Sequence, residues 1–144
     1  WQLIDEENFY PTFAAVSRFM EGEDRRAPDL KMVPPALLID DVPVSTLASQ
    51  CLRNRDRAYG WIYRLGDFSD MDPRGTPSVR GVTLRLNNMA PGKFRVEFWD
   101  TVAGKPLLQL TIPSQDGVLS AGIPAFARDI AFKVRPQKSE ANGQ

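Results

Sequence analysis

Asp67, Asp70 and Asp72 crowd the stretch Asp67-Phe68-Ser69-Asp70-Met71-Asp72, and three carboxylates at that spacing form the kind of oxygen cluster a calcium ion can use. The helix-loop-helix calcium pattern fits poorly. With Asp70 as first ligand, the fifth position is Arg74 and the bidentate twelfth is Gly81, so two ligands are missing. A solvated turn whose Asp residues cap their own backbone is preferred, and neither a metal nor a cofactor is expected. Paired acids could also hydrolyse a glycoside, which takes two carboxyls about 5–5.5 Å apart for retention or ~6.5–9.5 Å for inversion. The adjacent pair Asp40-Asp41 does not suit this: neighbours in an extended segment point to opposite sides, and Pro43 follows closely, so a turn is expected.

The chain contains no histidine, which removes the usual general base, the commonest metal ligand and any Ser-His or Cys-His nucleophile. Carboxylate chemistry alone stays open, and no catalytic residue is expected. The single cysteine, Cys51, cannot make an internal disulfide or a Cys-rich metal site, so cysteine usage does not select a compartment.

Aromatic rings offer a different chemistry, because sugars stack their apolar faces on flat rings while polar neighbours take the hydroxyls. Alternation along Lys93 to Asp100 puts Trp99 with Arg95 and Glu97 on one face, opposite Phe94, Val96 and Phe98. Trp99, Arg95 and Glu97 are therefore the candidate carbohydrate-binding residues. The competing reading, that Trp99 packs on the helix, the connection after it or a neighbouring domain, is favoured because Trp is usually largely buried. Tyr59, Trp61 and Tyr63 share one face of their own strand and read as core or helix-covered stripe rather than as a platform.

These residues must be positioned by the elements around them. Phe13, Val16, Phe19 and Met20 recur at helical spacing between Pro11, suited to a first turn, and Gly22, suited to an exit. From Glu21 to Pro35 charges and prolines without a period predict an extended connection over a surface. Thereafter the pattern is β: Ala36 to Ile39, Leu47 to Leu52, Arg57 to Leu65, the alternation of Val82, Leu84 and Leu86, Lys93 to Asp100, the strand of Leu108, Leu110 and Ile112, a short piece at Val118-Leu119, and the strand of Ile130, Phe132 and Val134. Ala103-Gly104 supplies the positive backbone angle of a hairpin. Phe94, Val96, Phe98, Leu84, Leu86, Leu108, Leu110, Ile130 and Phe132 are expected to form one core. Seven or eight short strands joined by turns predict a mainly β fold, an immunoglobulin-like antiparallel β-sandwich with one N-terminal α-helix.

At 144 residues the chain has the size of one domain and can bury roughly 68–70% of its unfolded surface. Its 42% hydrophobic and 25% charged residues are those of an ordinary globular protein, and no apolar run approaches the ~18 residues that span a bilayer. Eighteen basic residues balance eighteen acidic ones, so neither nucleic acid nor membrane is an expected partner. Trp1 in place of a methionine, with no signal-like segment beside it, reads as a fragment or a processed product, and residues 137–144 read as a disordered tail.

At Ala58-Tyr59-Gly60-Trp61-Ile62-Tyr63, and at Ala90 to Thr101 followed by Gly104, the sequence resembles the C-terminal β-sandwich accessory domain of bacterial TIM-barrel glycoside hydrolases, including domains of the collagen-binding type. Phe13 to Asp24 is similar to the last barrel helix of such enzymes and the exit from it. The resemblance spans most of residues 9 to 134 and rests on structural motifs: a turn ending in Gly, an alternating strand, a Trp-Asp-Thr corner and a hairpin glycine. It implies residues 1–35 as helix and linker belonging to a preceding domain and residues 36–136 as the sandwich. It also implies a non-catalytic chain whose partner is a catalytic barrel domain of the same polypeptide, with a secreted or periplasmic location. Polysaccharide is a second partner to consider, and self-association through the helix a third. The alternative is an independent module binding a polysaccharide or an extracellular protein; a small stand-alone enzyme has little support.

Overall fold

The computed structural model describes residues 10–24, 26–66 and 77–138. The acidic stretch Asp67 to Asp72, with its calcium reading, and the tail beyond residue 138 lie outside the described residues. Helix α1 covers Tyr10–Phe19. Among the described residues ten strands follow: β1 (Lys31–Met32), β2 (Ala36–Ile39), β3 (Val42–Pro43), β4 (Leu47–Arg53), β5 (Ala58–Arg64), β6 (Thr83–Leu86), β7 (Lys93–Asp100), β8 (Lys105–Pro113), β9 (Leu119–Gly122) and β10 (Asp129–Pro136). They form two antiparallel sheets, a large one in the order β1-β4-β5-β10-β7-β8 and a small one in the order β3-β2-β6-β9. The fold is therefore mainly β and a β-sandwich, as the alternation predicts. The strands beyond the expected seven or eight include β1 and β3, each of two residues and too short to show a period.

Register explains the core. Ile62, Gly60 and Ala58 of β5 lie opposite Ile130, Phe132 and Val134 of β10, and the last two of these face Phe98 and Val96 of β7. Leu84 and Leu86 of β6 and Leu119 and Ala121 of β9 meet them from the small sheet, and all these side chains are buried. Leu108, Leu110 and Ile112 of β8, the outermost strand, pack on this cluster only in part. A fully buried Phe or Leu contributes about 1.5–3 kcal/mol, so Phe94, Phe98 and Phe132 dominate the hydrophobic stabilisation of the large sheet. Gly60 is required by this packing: the Phe132 ring occupies the space a Cβ there would need.

Asp40 and Asp41 have φ of 48° and 62° between the paired residues Ile39 and Val42, which makes them the centre of a two-residue hairpin turn. Arg85 of β6 ties Asp41 at 2.8 Å. The pair is thus a turn, as its sequence context predicts.

The helix leaves most of its apolar stripe uncovered by the sandwich. The spacing of Phe13, Val16, Phe19 and Met20 predicts one apolar stripe, yet Phe13 and Val16 are exposed by 54% and 56%, and the buried side chain is Ala15. The cause is a backbone approach. A Cβ on Gly104 would lie 2.6 Å from the Cα of Ala15, so only small residues fit between α1 and the β7–β8 turn.

Candidate functional site

The outer face of the large sheet, turned away from the small sheet, carries the polar and aromatic residues of alternate positions. The chain from α1 to β1 crosses this face and is fastened to it twice. At the first fastening, Asp100 accepts the backbone N–H groups of Val102 and Ala103 at 2.8 Å each, shaping the turn. The carbonyls of Ala103 and Gly104 then accept Arg18 at 3.0 and 3.2 Å. The next residue, Phe19, sets its edge on the Trp99 ring, with centroids 5.5 Å apart and planes at 88°.

The second fastening is Glu23, whose side chain is fully buried although it lies in an irregular stretch. Tyr59 donates its hydroxyl to Glu23 Oε2 at 2.6 Å, and Arg57 reaches the same oxygen at 3.4 Å. Arg135 and Lys133 stand 3.0 and 3.5 Å from Oε1 as ion pairs without an aligned hydrogen bond. Burial pushes the Lys133 ammonium below the usual lysine range, and the nearby Glu23 carboxylate offsets part of that shift. Burial, followed by the hydrogen bond to Glu23, pushes the Tyr59 phenol up. Lys133 Nζ also lies 4.9 Å from the Phe19 ring centroid and 5.0 Å from that of Trp99, so the aromatic pair shares its charge.

Trp99, Arg95 and Glu97, the residues singled out by alternation, are brought together here. Trp99 donates its indole N–H to Glu97 Oε2 at 3.0 Å. Arg95 Nε stands 3.0 Å from Glu97 Oε1, and Arg135 donates to the same oxygen at 3.2 Å. Glu97 is buried, while Arg95 stays partly exposed and donates to Gln109 at 2.7 Å. Chemically this is a pair of carboxylates held among Arg57, Arg95, Lys133 and Arg135, an arrangement that fixes charge and orientation. Among the described residues, no group of three or more His, Cys, Asp or Glu side chains is placed to hold a metal ion. Glu23 escapes sequence reasoning because its stretch has no period. Lys133 did carry a signal, as a charge at an outward position between Phe132 and Val134.

Beside α1 the same sheet face opens into a groove of about 690 Å³ with mainly apolar walls. Its floor includes Trp61, Ala131 and Trp99, which the register sets side by side on β5, β10 and β7. Trp61 is 43% exposed. Its indole N–H is held by Asp129 Oδ2 at 2.9 Å, Thr101 donates to Asp129 Oδ1 at 2.7 Å, and Tyr63 lies against the indole with centroids 4.5 Å apart at 32°.

No protein-family model matches the sequence. No curated protein matches it either. Among solved structures, the crystal structure of a GH30 endoxylanase from Clostridium papyrosolvens C71 is similar, at 17% identity and a TM-score of 0.47, over 88% of this chain. The chain spans 28% of that enzyme's chain.

Proposed function

We propose that this chain is a non-catalytic accessory β-sandwich of a carbohydrate-active enzyme, seated against a glycosidase catalytic barrel of the same polypeptide. The observation that carries the proposal is the unused side of α1. Its small inner side is consumed by Gly104 and the Trp99 ring, so Phe13 and Val16 face solvent, and Val102 at the tip of the β7–β8 turn is exposed by 83%. Apolar surface displayed on a firmly attached helix is the mark of an interaction surface. The resemblance of Phe13 to Asp24 to a barrel's last helix supports a barrel as the occupant. The two fastenings of α1 and its exit give such a contact a fixed orientation, as a supporting module needs.

Hydrogen exchange tests this proposal. The chain alone and the longer polypeptide encoded with it are compared: strong protection of Phe13 to Met20 in the longer form is expected, and equal exchange in both overturns the docking. The purified chain is expected to turn over no aryl-glycoside. Turnover abolished by changing Asp40, Asp41, Asp70 or Asp72 overturns the non-catalytic assignment. The half-exposed Trp61 favours a second function, sugar contact, on the same sheet face.

A further inference from the structure

The groove beside α1 has the build of a saccharide subsite, centred on Trp61 rather than on the buried Glu97. Trp61 and Trp99 belong to strands on either side of β10, so at a strand spacing of about 4.8 Å they are rooted roughly 10 Å apart. Between them stands Ala131, a single methyl. Their hydrogen bonds draw the two indoles apart. Trp61 is tied to Asp129, which lies opposite Tyr63, whereas Trp99 is tied to Glu97 two residues back along β7. Both β5 and β7 run antiparallel to β10, so these ties point toward opposite ends of the sheet and leave a slot over Ala131.

The rim of the slot is polar in a specific way. Among the described residues, each oxygen of Asp129 accepts one bond, from Trp61 and from Thr101, out of the about four acceptor positions that a carboxylate offers. Gln50, exposed and directly opposite Trp61 on β4, adds an amide. A flat, locked ring with acceptors at its edge matches a sugar, whose C–H face stacks while its hydroxyls donate. An aliphatic side chain in the same slot would strip water from Asp129 and return no hydrogen bond, which is costly. A negatively charged sugar is disfavoured by Asp129, because the buried cation Lys133 is committed to Glu23.

We infer that this groove binds a neutral oligosaccharide, with one pyranose ring stacked on Trp61 over Ala131 and its hydroxyls donated to Asp129 and Gln50. The site rests on the groove alone and not on docking to a barrel.

The test is calorimetric titration of the chain with cellohexaose, xylohexaose and mannohexaose, with hexagalacturonate as the charged comparison. At least one neutral hexasaccharide is expected to bind and to shift the tryptophan fluorescence. Trp61→Ala is expected to weaken that binding at least tenfold, with Trp61→Phe recovering part of it. Ala131→Leu, which fills the slot and leaves both indoles in place, is expected to abolish it even if Trp61→Ala proves poorly folded. The inference is overturned if no neutral hexasaccharide binds, if binding survives Ala131→Leu, or if hexagalacturonate binds as tightly. A groove that takes no sugar but becomes protected in the longer polypeptide belongs to docking instead. That outcome overturns this inference and leaves the docking proposal standing.

Discussion

Tyr59 donates its hydroxyl to Glu23 at 2.6 Å, joining a central strand of the large sheet to the segment that crosses it. The bond matters because Glu23 is the counter-charge for Lys133 and Arg135, which are buried or half-buried under that segment. Removing one member of a buried ion pair leaves the others desolvated without compensation, at about 3–5 kcal/mol. Glu23→Ala is therefore expected to lower stability by that amount in urea unfolding. A double change, Glu23→Ala with Lys133→Met, should recover part of it. A loss under about 1 kcal/mol for the single change, the range of surface pairs, would refute the clasp.

Alkaline pH should weaken the fold through Cys51. Burial raises its thiol to about 12 from an ordinary 9.0, against a smaller downward pull from Arg53. The folded value lies above the unfolded one, so between these limits the unfolded chain releases a proton that the folded chain keeps. Stability thus falls as pH rises through this window, by about 1.4 kcal/mol per pH unit. Tyr59 adds to the same slope and Lys133, shifted downward, opposes it. The difference between the parent and Cys51→Ala isolates the thiol: the variant should lose markedly less stability between pH 9 and pH 11. Identical pH profiles would contradict the assignment.

Gly60→Ala is expected to destabilise the sandwich by about 1–3 kcal/mol or more, the usual cost of overpacking a core, because the new methyl meets the Phe132 ring. Pairing it with Phe132→Leu should return part of the loss in a double-mutant cycle. Simple additivity of the two changes would show that the ring and the glycine are not coupled.

In isolation the chain should self-associate through the open side of α1. Sedimentation at rising concentration is expected to show dimers, and Phe13→Asp with Val16→Asp should abolish them while leaving the melting temperature within a few degrees, both side chains being exposed. A chain that stays monomeric at high concentration would remove this consequence of the exposed face.

Local alternation made the sandwich legible. Phe94, Val96 and Phe98 could be assigned to the core, and Arg95, Glu97 and Trp99 to the outside, from the two-residue period alone, and the turn at Asp40-Asp41 followed from its composition. What stayed hidden depends on contacts between distant segments. The inner side of α1 is set by Gly104, 89 positions beyond Ala15, a contact that helical periodicity cannot encode. The Glu23 clasp lies in a stretch with no period at all. The Trp61 slot exists because Ala131 falls between two indoles, a cross-strand coincidence visible only once the register of three strands is known.

The lengths of the outermost strands carry a consequence for crowded conditions. Among the described residues, three of the four sheet borders end in β1, β3 and β9, of two, two and four residues, which give a foreign strand little to pair with. The long border strand is β8, and Pro106 and Pro113 near its two ends each lack the N–H that strand-by-strand addition would use. Ordered polymerisation through the sheets is thereby discouraged at all four borders, so precipitation of this protein should proceed by sticking of faces rather than by growth of fibres.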